Sequence, residues 1–447
     1  MKRLLRTLPG RLLLLPLLLL LACARQDVQP SDYYLVYADY RPLLLARATL
    51  ENAVAALPPQ AMHNTGKIYL YGNYVFINEK YQGIHVIDNR DPANPRPVSF
   101  LRIPGNVDMA VRSNVLYADS GPDLVTLDLS NPAAAKPLGR VRNAFAELPM
   151  PVAGTLEEAY QPANRPADAV VVGWRKLAAG EAMPLKITYY RNNGWGSPVL
   201  SSAAYSAAPS SGGGATTGKA GSLARFAILN QTLYTVDNQS LRLFDLQNPV
   251  QPATGAVVPV GFDIETIFPR DHYLFLGSQT GLFIYDVATP AAPKWVSTVR
   301  HARSCDPVVV EGNFAYVTLR SNFGATTPTP GTVLTVGPCG STQTNELDVV
   351  DLSSLTQPRL VRSYAMNGPQ GLGAENNRLY VCDDVLRVFD TSKAPELTQV
   401  QQLSASLTDV IPNGDYLLAV GPGGLYQYFV GASAVRQVSM LPITPGE

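Results

Sequence analysis

Short apolar strands that end in an acid recur along this chain. GIHVID (83–88), DLVTLD (123–128), SLRLFD (240–245), GLFIYD (281–286), ELDVVD (346–351) and VLRVFD (385–390) each run into a terminal Asp. GLYQYF (424–429) repeats the pattern without the acid. Asp88 and Asp128 stand 40 residues apart, Asp245 and Asp286 41, and Asp351 and Asp390 39. A period near forty in strand-forming segments predicts propeller blades or β-solenoid units.

Each unit is legible from its physics. An apolar–aromatic pair lies about eleven residues before the Asp: Leu116-Tyr117, Leu233-Tyr234, Leu274-Phe275, Leu379-Tyr380. These are strand formers flanked by turn residues. With the Asp-terminated strand they make a hairpin across a short polar or Gly turn such as SGPD, DNQS or SQTG. A second turn follows the Asp, with Pro four residues on at Pro92, Pro132, Pro249 and Pro290. An Asp carboxylate accepts the backbone N–H groups two or three residues later, and Pro fixes the next φ. The repeated Asp is therefore expected to be a turn cap rather than a catalyst. Segments such as RPVSFLRI and PKWVSTVR then supply an outer fourth strand.

Two intervals exceed the period, and insertions at about 147–222 and 322–345 account for both. Seven units remain between Lys67 and the C-terminus, so the expected fold is an all-β, seven-bladed β-propeller, with six or eight blades as the neighbouring counts. Closing the disc protects edge strands that an open stack would leave free. These segments and their D-x-x-x-P turns resemble the LVIVD-repeat family of bacterial propeller-like proteins over about residues 64–430. GKIYLYGNYVFINEKYQGIHVIDN (66–89), GKAGSLARFAI (218–228) and SCDPVVVEGNFAYVTLR (304–320) are similar to segments of its lipoprotein members. The resemblance implies a fold and a location; the family has no established biochemical activity to carry over.

The N-terminus changes the picture most. Lys2, Arg3 and Arg6 precede the apolar run LLLLPLLLLL (12–21), which is too short to span a bilayer and reads as an export signal over 1–22. Leu20-Leu21-Ala22-Cys23 resembles a bacterial lipobox, which would make Cys23 a palmitate-type lipidation site and 23–66 a tether. The competing reading is an ordinary signal peptide cut at Ala22-Cys23-Ala24. Two or three acyl chains would anchor the protein stably, at about 0.8 kcal/mol per buried methylene. Ala24 points by analogy to the outer membrane. Within the tether, Thr49 is expected to cap a short helix over 50–57, ended by Pro58-Pro59.

Lys and Arg total 35 against 35 acids, so net charge is zero, no basic stripe is present, and no nucleic-acid partner is expected. In an exported protein Cys305 and Cys339, which bracket the second insertion, are expected to form a disulfide rather than remain free thiols, while Cys382 reads as a buried hydrophobe. The four histidines make no metal-binding spacing, and neither a nucleophile elbow, a Walker loop nor an EF-hand loop is present. No cofactor or resident metal is expected.

Counting back about twenty residues from each unit's end gives Asp108, Arg225, Glu265, Asp306 and Asp409. These start the innermost strands and would ring one mouth of the central channel. They could bind a small ligand or cation there. Equally, each could satisfy backbone N–H groups of the next blade and lock the ring. The first insertion holds VVVGWRK (170–176) and LKITYYRNNGWG (185–196), read either as a recognition surface of Trp174, Tyr189, Tyr190 and Trp195 or as a β-hairpin covering its blade, with a disordered Ser/Gly tail at 201–222. The expected function is an envelope-anchored binding or scaffold module, not an enzyme, with an envelope protein or glycan as partner. Its rivals are a propeller hydrolase or lactonase with a channel metal, and a polysaccharide-binding accessory protein.

Overall fold

The computed structural model describes residues 35–38, 40–148, 165–176, 183–186, 217–301, 304–321, 344–432 and 434–444. Seven antiparallel sheets, six of four strands and one of six, follow one another along the chain as seven propeller blades. Their innermost strands are Thr65–Tyr71, Met109–Arg112, Phe226–Leu229, Ile264–Arg270, Val308–Glu311, Leu372–Glu375 and Asp409–Asn413. Each packs against the next, and the seventh packs against the first, so the ring is closed.

The repeat owes its regularity to a few side chains. Tyr117, Tyr234, Tyr316 and Tyr380, each on the second strand of its blade, are fully buried between blades. An aromatic ring buries 150–250 Å² and so dominates the local packing. The six Asp residues that end the third strands cap the following turns, as expected. Asp128 Oδ1 accepts Ser130 N at 2.8 Å, Asp245 Oδ1 accepts Gln247 N at 2.8 Å, and Asp286 Oδ1 accepts Ala288 N at 2.7 Å. Asp88, Asp351 and Asp390 bond the residue two further on in the same way. The capped turn then serves the neighbouring blade. Ser99 Oγ donates to Pro132 O, Thr126 Oγ1 to Val250 O, Ser297 Oγ to Leu355 O and Ser439 Oγ to Pro92 O. Each such bond contributes on the order of 1 kcal/mol, and the last one crosses the seam between blades 7 and 1. Thr444 N donates to Met62 O at 2.8 Å across the same seam.

Three expectations about the additions need correction. The helix spans Arg47–Asn52 with Ala46 at its N-cap, so Thr49 lies inside it and caps nothing. The chain then turns into a strand, Ala55–Leu57, which pairs with Phe100–Arg102 and covers the outer edge of blade 1. Pairing to an otherwise bare edge outweighs local helix propensity there. The insertion strands do not form a hairpin with each other: Ala169–Lys176 pairs with Tyr40–Ala46, and Met183–Lys186 pairs with Leu35–Ala38. Finally, the end of the supposed disordered tail is ordered, because Lys219–Ala220 is a strand paired with Tyr69 and Leu70 of blade 1.

Candidate functional site

The inner strands and the turns between second and third strands begin on one face of the disc, here called the upper face. Asp108, Arg225, Glu265, Asp306 and Asp409 all lie at or next to the starts of inner strands there. They do not converge on a point. Among the described residues no three His, Cys, Asp or Glu side chains come close enough to hold a metal ion.

What occupies the axis is the chain itself. Gly218 N donates to Val111 O of blade 2, and Lys219–Ala220 adds to the inner strand of blade 1. Lys219 Nζ reaches Pro412 O of blade 7 at 2.6 Å and Glu375 Oε1 of blade 6 at 2.7 Å. Ser222 Oγ donates to Asp409 Oδ1 at 2.9 Å and accepts Leu372 N of blade 6 at 2.9 Å. Ala224 O accepts Ile267 N of blade 4 at 2.9 Å. A segment bonded to inner strands on five blades must cross the channel, so residues 217–225 form an axial plug before entering blade 3. Gly221 is required where the plug passes blade 7, because a Cβ there would overlap the Asp409 carboxylate.

Asp108 and Asp409 serve this packing. Asp108, 3 % exposed, pairs through Oδ2 with Lys67 Nζ at 2.7 Å and also accepts Phe226 N at 3.2 Å and Arg225 N of blade 3. Its Oδ1 accepts Met109 N at 2.7 Å. Burial lowers the Lys67 ammonium pKa, and the Asp108 charge opposes that shift. Lys67 was not singled out by sequence, although it stands 21 residues before Asp88 and so falls within the same count. Asp409 accepts Ser222 N and Val410 N, yet burial still pushes its pKa up to about 6. Asp306 Oδ2 lies 3.0 Å from His301 Nε2; burial, with the nearby Glu265 charge, holds the Asp306 carboxyl well above the ordinary range. Glu265, bonded to Gln279 Nε2 at 3.0 Å, is also raised by burial.

Asp119, on the second strand of blade 2, was missed by counting because it lies outside the inner strand. Its Oδ1 accepts Val107 N, Asp108 N and Asn106 Nδ2 at 2.8, 3.0 and 2.8 Å. Burial nevertheless raises its pKa to about 7, and the neighbouring Asp108 charge adds to the rise.

Beside the plug, between blades 2 and 3, a cavity of about 430 Å³ opens on the upper face. Its apolar wall includes Phe145, Leu148, Phe226 and Pro259, and Asp119 and Arg225 line its polar side. The ribbon Tyr40–Ala46/Ala169–Lys176 and the helix roof blades 1 and 2 beside it. Leu50 packs there on Val170 and Val172, and Arg47 binds the buried Asp123 at 2.7 Å.

This roof corrects the recognition surface. Trp174 is 5 % exposed and donates from Nε1 to Leu148 O at 3.0 Å, so it is a packing residue. Tyr189, Tyr190 and Trp195 lie outside the described residues, as do Cys23 and Cys339, the latter being the expected partner of Cys305. Cys382 is free and buried.

The LVIVD repeat model matches residues 64–99, 107–142, 302–322 and 341–366, which fall on blades 1, 2 and 5. The chain carries LVIVD repeats at these positions. Comparison with curated proteins finds no match. Among solved structures, a protein from Lactobacillus plantarum is similar at 10 % identity and a TM-score of 0.50, covering 87 % of this chain and 97 % of its own. The periplasmic gluconolactonase of Pseudomonas aeruginosa aligns at 11 % identity and 0.49, over 88 % and 97 %. BamB of Moraxella catarrhalis aligns at 10 % identity and 0.43, over 86 % and 94 %. At 10 % identity the Lactobacillus plantarum likeness speaks for the fold alone, and nothing is drawn from the other two.

Proposed function

We propose that this LVIVD propeller is a non-catalytic binding and scaffolding module, held at the bacterial cell envelope by a lipid on Cys23 and facing envelope partners. The observation that carries the non-catalytic part is the axial plug. Both oxygens of Asp108 and Oδ1 of Asp409 are spent on Lys67, on Ser222 and on backbone N–H groups of this same chain. An enzyme using the channel would need those groups turned toward a substrate or metal. The export signal and the Leu-Leu-Ala-Cys run at 20–23 support the anchor. A Cys305–Cys339 disulfide belongs to the same reading, because export brings an oxidising compartment.

Two experiments test it. Cells expressing the full chain and a Cys23→Ser variant are labelled with radioactive palmitate; label in the wild type and none in the variant is the expected result. Equal labelling, or a wild type that takes up none, refutes the anchor. The mature chain is then melted with EDTA, Ca²⁺, Mg²⁺ and Zn²⁺. A metal that binds only the folded state raises the melting temperature. No shift is expected; a shift abolished by Asp306→Ala would revive a channel enzyme.

A further inference from the structure

Several buried polar groups remain once the plug and the blade contacts are assigned, but the cavity between blades 2 and 3 carries the most chemistry. Its charged neighbours are nearly all matched within the protein. Asp108 is paired with Lys67, Glu147 with Arg165, and Asp237 with Arg242 at 3.0 Å. Arg225 is the exception. Among the described residues its side chain makes one hydrogen bond, from Nη2 to Asn238 Oδ1 at 3.0 Å, and no carboxylate forms an ion pair with it. A guanidinium is charged at every physiological pH and presents paired donors that match the two oxygens of a carboxylate.

The walls define the rest of a ligand. Phe145, Leu148, Phe226, Val236 and Pro259 face the space, which at about 430 Å³ lies in the range of small-molecule sites. An apolar cavity with one convergent cation suits an anion attached to a hydrophobic body. A cationic ligand would bring a second positive charge toward Arg225 while the acids nearby already hold partners.

We propose that this cavity binds an organic acid, a carboxylate carried on an aryl or alkyl group, with Arg225 gripping the carboxylate and the Phe145–Phe226 wall covering the apolar part. The site stands beside the envelope reading rather than on it, since the cavity would take the same acid whether or not Cys23 carries lipid.

The test is calorimetric titration of the mature chain with 3-phenylpropionate, its alcohol 3-phenylpropan-1-ol and its amine 3-phenylpropylamine, with phenylacetate and 4-phenylbutyrate as shorter and longer acids. At least one acid should bind saturably at one site per chain. The alcohol and amine should bind about ten-fold more weakly or worse, the scale of one charge-assisted hydrogen bond. Arg225→Gln should erase that preference while leaving Arg225's backbone bond to Asp108 in place. Gln239→Trp, an exposed turn position on the cavity rim, should block all the ligands without touching the core. If Arg225→Gln lowers the melting temperature enough to suggest misfolding, the rim variant decides alone. Absence of saturable binding by all three acids overturns the proposal. So does equal affinity for the amine, a folded Arg225→Gln with unchanged preference, or full binding by Gln239→Trp.

Discussion

Replacing Asp108 should loosen the whole ring, and the size of the effect follows from its contacts. Its carboxylate is 3 % exposed and serves a buried ammonium at 2.7 Å together with the N–H groups of Met109, Arg225 and Phe226. Removing one partner of a buried ion pair costs about 3–5 kcal/mol, and each stranded buried donor about 1–3 kcal/mol. These losses overlap, and the Lys67 side chain keeps 16 % of its surface in water, through which it can relax. Asp108→Ala is therefore expected to cost about 4 kcal/mol. Asp108→Asn keeps an oxygen for the backbone donors and loses only the charge, so about 2 kcal/mol is expected. Adding Lys67→Met to the Asn variant removes the stranded cation, and the pair should cost less than the sum of the single changes by about 1 kcal/mol or more. Urea unfolding followed by tyrosine and tryptophan fluorescence reads the wild type and the four variants, Lys67→Met alone included. Loss of under about 1 kcal/mol in Asp108→Ala would refute the strut assignment. So would equal losses for Ala and Asn, which would mean the backbone bonds carry nothing.

Ser222→Ala removes a hydroxyl that donates to Asp409 and accepts from Leu372, and should lower stability by about 2 kcal/mol in the same urea assay; an unchanged midpoint would mean the plug does not bind blades 6 and 7 together. Asp119 carries its proton up to about pH 7 when folded, against 3.8 ordinarily, so the folded chain binds more protons between those values and its stability falls as pH rises through them. From pH 5.5 to 8 the wild type should lose more melting temperature than Asp119→Asn, which keeps the Oδ1 acceptor; parallel curves by scanning fluorimetry would contradict this. Asp351→Ala removes one turn cap, which accepts Ser353 N at 2.8 Å, and should cost about 1 kcal/mol; a loss as large as that of Asp108→Ala would show the turns, not the axis, to be the critical contacts.

Most of the propeller was visible in the chain because its period is enforced locally. Six of the seven blades use an Asp to cap the outer turn and an aromatic to fill the gap to the neighbour, and both sit at fixed offsets, as with Tyr117 and Asp128 or Tyr380 and Asp390. The same counting located Asp108 and Asp409, and it would have found Lys67 had it been carried back to the first unit. What escaped is whatever depends on a partner far away in sequence. Lys219–Ala220 is too short to show any period, and its neighbours read as a Ser/Gly linker; only the Tyr69–Leu70 edge makes it a strand. Trp174 looks like a surface aromatic until Tyr40–Ala46 pairs with its strand and builds it into the roof, where it is buried. Asp119 carries no repeat signature, because its role comes from the turn at Asn106–Asp108 folding over it.

The plug also dictates the order in which this molecule can be completed. Residues 219–220 belong to the sheet of blade 1, yet they are made about 150 residues after it, and Ser222 waits nearly 190 more for Asp409. As the chain emerges N-terminus first, blades 1 and 2 appear with an unfilled centre. Blade 3 cannot seat until the segment before it has crossed that space. The late blades then arrive around a strand already lying on the axis, which offers Ser222 to blade 6 and blade 7 in turn. Contacts so distant in sequence make folding slow, and a ring half built around its own core is the species a chaperone would meet.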